Sequence, residues 1–314
     1  MQIIDFTVNH IEQAIQIAKQ NYETERKYVP ALPHAPVWPN MIPLAENNLG
    51  VAAFEGERMI GFLCCYGPFQ NAFGSTNVAG VFSPMHSNGT VAENRAVIYA
   101  RIYQAAAEKW VKAGAASHAV CLYAHDKEAQ GQFFRYGFGL RCIDAIRGID
   151  EISVPACEGY SFSELSREEF HLILPTNKML IEHLEKSPTF LKYPAVSDSV
   201  LLERITCPDP RYFAATKNGE LVAYIKITDD GETFVSGIPD SQNICGAFCL
   251  PEHRGKGLSQ NLLNYVIRAI AREGYQRLGV DFESFNSTAY GFWLKYFDAY
   301  THSVVRRIDE NILN

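Results

Sequence analysis

The chain repeats itself at long range. Gly56-Glu57-Arg58-Met59-Ile60-Gly61-Phe62 is echoed by Gly219-Glu220-Leu221-Val222-Ala223-Tyr224-Ile225, each a turn between two strands. Pro84-Met85-His86 is echoed by Pro251-Glu252-His253, and Phe133-Phe134-Arg135-Tyr136-Gly137-Phe138 by Phe292-Trp293-Leu294-Lys295-Tyr296-Phe297. Leu140 to Ile146 is echoed by Tyr300 to Ile308. The offsets are 163, 167, 159 and about 160 residues, so order and spacing are both kept. Self-similarity of this kind marks a duplicated unit. The sequence predicts two copies of one α/β fold, 1–150 and 151–314, joined near Asp150 to Ala156.

In the first copy, strand Ile3–Phe6 leads to a helix from Ile11 to about Glu25 and then to a segment with prolines at 30, 33, 36, 39 and 43. Strands Val51–Phe54, Met59–Tyr66 and Val78–Phe82 follow. Helix Ala92–Ala113, strand Ala119–Ala124, helix Glu128–Tyr136 and a last strand close this copy. In the second copy, helices Asn177–Lys186 and Ser199–Ile205 precede strands Tyr212–Thr216, Glu220–Thr228 and Gln242–Leu250. Asn218-Gly219 is a strong hairpin signal. Helix Leu258–Glu273 and strand Arg277–Phe282 then form a parallel β-α-β unit.

Pro251-Glu252-His253-Arg254-Gly255-Lys256-Gly257-Leu258-Ser259 lies between the apolar run Ile244 to Leu250 and the helical pattern Leu262, Leu263, Val266, Ile267, Ile270. A strand therefore feeds a glycine-rich loop that opens a helix. The first helical N–H groups have no intrahelical partner, and the positive end of the helix dipole stands behind them. That geometry suits a pyrophosphate. Gly255 and Gly257 let the backbone approach the anion, and Arg254 and Lys256 add charge. No G-x-x-x-x-G-K-[ST] or G-x-G-x-x-G string occurs here, which excludes a Walker loop and a dinucleotide fingerprint. The bland alternative is a tight turn with solvated basic residues.

R-G-K-G-L-S resembles the R-x-x-G-x-[GA] loop of the GNAT superfamily of acyl-CoA-dependent N-acyltransferases, with Ser259 in the last place. Downstream, Asn286 follows strand Leu278 to Phe282, Phe292 to Phe297 looks like that family's FYxKxGF helix, and Tyr300 to Ile308 fits its last strand. The good match covers about 210–310. The resemblance implies α/β (α+β) architecture: two tandem GNAT-like domains, each a mixed, mostly antiparallel sheet with a central β-α-β and flanking helices. It also implies acetyl-CoA as acyl donor. Backbone N–H groups of Arg254, Gly255, Lys256, Gly257, Leu258 and Ser259 would take the pyrophosphate. Strand end Phe248-Cys249-Leu250 would pair with the pantetheine arm, and Asn286 would reach the arm from the other side.

The chemistry implied is direct attack of a primary amine on the thioester. An amine of pKa about 10 is mostly protonated at neutral pH, so its proton needs an acceptor. Alternation in Gly279–Glu283 puts Asp281 and Glu283 on one face. Glu283, near the strand mouth, is the candidate base, against the reading of a solvated acid at a strand end. The preceding strand has Asn243, Cys245 and Gly246 where many relatives carry a glutamate, which leaves a water-mediated base open. Relatives often protonate the leaving thiolate with a tyrosine at the position that Trp293 occupies. Indole N–H donates a hydrogen bond but is no proton donor. Trp293 is expected to pack beside the pantetheine sulfur. The first copy places Phe134 there, and Tyr290 and Tyr296 are the nearby hydroxyls.

The first copy lacks the loop. Its segment Pro84 to Arg95 keeps one glycine, and Glu93 sets negative charge near the helix start. The sequence predicts a degenerate half that packs but does not react, with a phosphate contact from Arg95 as the minority reading. The aromatic loop Pro188 to Pro194 and the segment Tyr28 to Pro43 are candidate acceptor-pocket walls or plain connectors.

A net charge of −7 argues against a general nucleic-acid surface. No run approaches the ~18 apolar residues of a membrane span, and Met1 to Asp5 has no signal-peptide character. The eight cysteines contain no C-x-x-C, so free thiols in a reducing cytoplasm are expected, with no metal. The acceptor is a small-molecule or peptide amine, and the sequence specifies no oligomeric state. The alternative function is a CoA-binding sensor or scaffold without turnover.

Overall fold

The computed structural model describes residues 1–313. Its chain forms two compact units, Met1–Asp144 with Ala299–Asn314, and Ala145–Asp298.

The first unit opens with β1 (Gln2–Asp5), α1 (Ile11–Arg26) and α2 (Ile42–Glu46), then β2 (Val51–Glu55) and β3 (Arg58–Leu63). β4 (Tyr66–Phe69), β5 (Gly80–Ser83), β6 (Asn88–Thr90), α3 (Arg95–Lys112), β7 (Ser117–Tyr123) and α4 (Lys127–Arg135) follow. α3 is amphipathic: Ile98, Tyr99, Ile102, Tyr103, Ala106 and Trp110 recur at three- and four-residue intervals and are buried. They pack on Val51, Ala53, Ile60 and Leu63 of the sheet β1-β2-β3-β6 and on Val120 and Leu122 of β7. The proline-rich segment is a packed connector. Val29 and Leu32 are fully buried, and Tyr22 donates its hydroxyl to the Pro33 carbonyl at 2.6 Å.

Next come β8 (Gly139–Gly148), β9 (Ser161–Glu164), α5 (Leu174–Glu185), α6 (Asp198–Thr206), β10 (Arg211–Lys217) and β11 (Glu220–Thr228). Asn218 and Gly219 both take positive φ (52° and 85°) in the β10–β11 turn, which is why the hairpin was readable. β12 (Ser241–Cys249), α7 (Leu258–Arg272), β13 (Arg277–Glu283) and α8 (Ser287–Trp293) complete the second unit. Its strands run β13-β12-β11-β10-β9, antiparallel except for the parallel β12/β13 pair. α7 buries Leu258, Leu262, Leu263, Val266, Ile267 and Ile270.

The end of the chain departs from the sequence expectation. After the two-residue β14 (Asp298–Ala299), β15 (Thr301–Arg307) pairs antiparallel with β7 along seven residues, Thr301 opposite Tyr123 and Arg307 opposite Ser117. On its other edge it meets Gly139, Leu140 and Cys142 of β8. The strand expected to close the second copy thus lies inside the first unit, between that unit's own β7 and β8. Apolar alternation reads the same whichever sheet a strand joins, so sequence could not assign it.

The repeat is real but its register shifts. The cap residues Asp126 and Asn286 stand 160 apart, and each accepts the backbone N–H of the residue three further on, Ala129 and Ala289. The same offset makes Phe133, not Phe134, the counterpart of Trp293. Phe133 and Trp293 are buried, whereas Phe134 is 46% exposed. Pro84-Met85-His86 is not the counterpart of Pro251-Glu252-His253. It belongs to a 3-10 turn, Met85–Ser87, that interrupts the first unit's central strand between β5 and β6. The true loop there is only Val91 to Asn94, against Leu250 to Gly257 in the second unit.

Candidate functional site

β12 and β13 hold parallel register only from Ser241/Arg277 to Ile244/Val280. Cys245 is then skipped in the β11/β12 ladder, where Lys226 pairs with Gly246 and Ile227 with Ile244. Such a bulge bends its strand and raises its twist. Beyond it β12 continues along β11 to Cys249 but has no strand partner on the β13 side. The gap opens as a cleft of about 450 Å³. Ala247, Phe248 and Cys249 form one wall; Asn286, Ala289, Phe292 and Trp293 form the other; Arg254, Gly255 and Ser259 stand at one end.

The glycine-rich loop takes the conformation its glycines allow. Gly255 and Gly257 have φ of 71° and 77°, and Gly257 caps α7. No side chain caps this helix and its first turn carries no acid. The leading N–H groups of α7 therefore remain donors without a capping acceptor. Arg254 lies 5.3 Å from the Phe248 ring centroid and donates Nε to the Cys249 carbonyl at 2.9 Å, which ties the loop to the strand end. Lys256 is exposed and donates Nζ to the Glu252 carbonyl at 2.7 Å.

Of the residues singled out from sequence, Phe248, Cys249, Arg254, Gly255, Ser259, Asn286 and Trp293 line the cleft. Leu250, Lys256, Gly257 and Leu258 do not. Leu250 donates its N–H to Val222 at 2.9 Å, and Leu258 is a core side chain at 1% exposure. Glu283 lines neither this cleft nor the cavity described next. Trp293 is buried, edge-on to Phe292 and Phe297. Tyr290 and Tyr296 are not among the lining residues, and Tyr290 is 44% exposed.

Sequence reasoning missed Leu180 and His183 on α5 and Tyr224 on β11. His183 sits by Thr288, Nε2 to Oγ1 3.3 Å, and burial, with the Arg254 charge behind it, lowers its pKa below the usual histidine value. No local pattern marks such residues, because α5 reaches the cleft only through tertiary packing. A second cavity of about 750 Å³ lies against α5 and α6. Lys192, Tyr193 and Pro194 of the aromatic loop line it, with Tyr212, Lys226, Cys245 and Gly246. Leu180 and Tyr224 line both cavities. Cys245 is exposed rather than core, and burial within this wall still raises its thiol pKa.

In the first unit the corresponding gap is filled from within. Past the β5/β7 pairing, Asn88 donates Nδ2 to the Cys121 carbonyl of β7 at 3.1 Å, and Tyr99 donates its hydroxyl to Asn88 Oδ1 at 3.2 Å. Asn88 is 4% exposed. Arg95, the minority candidate for a phosphate, is committed to Asp126 at 2.6 Å and to the Thr90 carbonyl at 3.2 Å. Glu93 is exposed and 3.9 Å from Arg58.

A parallel pair that splays beside an uncapped, glycine-opened helix leaves a cleft with an anion-suited end. Residues 178–298 match the acetyltransferase (GNAT) family model. The match lies within the second unit. No curated protein matches it in sequence. Its fold is similar to that of a GCN5-related N-acetyltransferase from Sphaerobacter thermophilus, at 12% identity and TM-score 0.57, over 97% of this chain and 95% of that one. It is also similar to the GCN5-related glucosamine N-acetyltransferase region of a fungal multi-domain β-N-acetylglucosaminidase, at 11% identity and TM-score 0.51 over 97% of this chain and 38% of that one. Among the described residues no cluster of His, Cys, Asp and Glu is assembled to hold a metal, and no helix is long and apolar enough to cross a membrane.

Proposed function

We propose that the second unit takes acetyl-CoA as acyl donor and transfers the acetyl group to a primary amine of a small molecule or peptide. The observation that carries this reading is the splayed β12/β13 cleft ending at the uncapped start of α7. The pyrophosphate rests on the N–H groups of Arg254 to Ser259, where helix dipole and backbone donors favour an anion. The pantetheine arm extends along β12 past Cys249 and Phe248, whose free edge offers it strand-like hydrogen bonds. One of these N–H groups polarises the thioester carbonyl. The amine enters from the larger cavity and attacks where the two cavities meet. With Glu283 outside both walls, the amine proton leaves through water rather than directly to that carboxylate. All eight cysteines are free in the structure, which fits a reducing compartment such as the cytoplasm.

The test is free-thiol release from acetyl-CoA with a panel of primary amines. Release with at least one amine supports transfer. Tight binding without release under every amine supports a sensor or scaffold instead. Trp293→Phe should keep most of kcat, since ring packing survives and no proton donor is lost. A fall of about 10³-fold with CoA affinity intact would make indole N–H donation essential, because single proton-transfer groups contribute roughly 10²–10⁴-fold.

A further inference from the structure

Trp293 brings no hydroxyl to the cleft, and neither Tyr290 on α8 nor Tyr296 beyond its end lines it. Tyr224 reaches the junction from the opposite side. Its phenol is 2% exposed on β11, opposite Phe248 in the ladder, and it lines both cavities. Asn177 Nδ2 donates to its hydroxyl oxygen at 3.4 Å, and the Tyr212 ring meets it edge-on at 5.8 Å. Among the described residues the Tyr224 hydroxyl has no acceptor, so its proton is left for a group in the cavity. Leaving a buried donor unmade costs about 1–3 kcal/mol, and a bound acceptor recovers it.

We propose that Tyr224 is a catalytic residue that donates a hydrogen bond to the sulfur of the leaving coenzyme A thiolate. This rests on the acetyl-CoA reading above. The amine nitrogen forms the C–N bond, the C–S bond breaks, and its electron pair stays on sulfur. The amine proton goes to water. Burial pushes the Tyr224 phenol up to about 12, well above a thiol near 8.5. The phenol therefore keeps its proton and acts by hydrogen bonding, and the thiolate is released as such.

Reduced coenzyme A serves as the probe, and its thiolate absorbance is followed against pH when bound to the full chain. Wild type should lower the bound thiol's pKa. Tyr224→Phe should raise it by about one to two units, the size of a hydrogen bond to a charged group. An unchanged thiol titration in Tyr224→Phe, with coenzyme A bound, overturns the role of Tyr224 and leaves the cofactor reading standing. Failure of wild type to bind coenzyme A overturns both. With an amine that supports turnover, Tyr224→Phe should lose about 10²-fold in kcat at unchanged KM for acetyl-CoA, as for one transition-state donor.

Discussion

Gly257→Glu should abolish acetyl-CoA binding. Gly257 caps α7 at φ 77°, where an L side chain is strained by roughly 1–2 kcal/mol. That strain is common to any substitution. The glutamate adds a carboxylate beside the N–H groups proposed to hold the pyrophosphate, and like charges brought together cost several kcal/mol. At 1.4 kcal/mol per decade the loss should exceed about 10²-fold. Gly257→Ala separates the two effects. A Cβ there would meet only Asn261 Nδ2 at 3.7 Å, so the alanine variant should bind with a modest loss. Calorimetric titration distinguishes them, and equal affinities for wild type and Gly257→Glu would remove the loop from the site.

A chain ending at Asp298 should lose its first unit. β7 is buried at every position, and β15 supplies one whole edge of its ladder. Tyr300, Thr301 and Val304 are at most 1% exposed. Each large apolar side chain returned to water costs about 2 kcal/mol, and each buried backbone group left unpaired about 1–3 kcal/mol. Those losses are on the scale of the whole stability of a domain, about 5–15 kcal/mol. Amide exchange should show β7 unprotected in the truncated chain, while α7 and β13 keep their protection. A synthetic peptide covering 299–314 should restore part of it. Full protection of β7 without those residues would contradict the strand assignment.

The sequence carried most of the elements because their signals were local. Asn218-Gly219 marked the hairpin, the three- and four-residue apolar spacing marked α3 and α7, and the glycines at 255 and 257 marked the loop. It misread what depends on pairing. The echo at Pro84 matched residue types but belongs to a turn breaking a strand. β15 carried the right pattern for a last strand and no information about which sheet it enters. The lining of the cleft divides the same way. Arg254, Ser259 and Asn286 were readable because loop and cap motifs are contiguous. Tyr224, Leu180 and His183 were not, because β11 and α5 approach the cleft only once the sheet is folded. Glu283 failed as a lining residue because alternation fixes a face of the strand and not what covers that face.

One acyl-CoA site per chain is proposed, on the second unit, with the first unit's gap sealed by Asn88. Calorimetric titration of the full-length chain with acetyl-CoA tests it most directly. A single site is expected, lost in Gly257→Glu and kept in Asn88→Ala. Two sites in the wild-type chain, or a single site indifferent to Gly257→Glu, would contradict it.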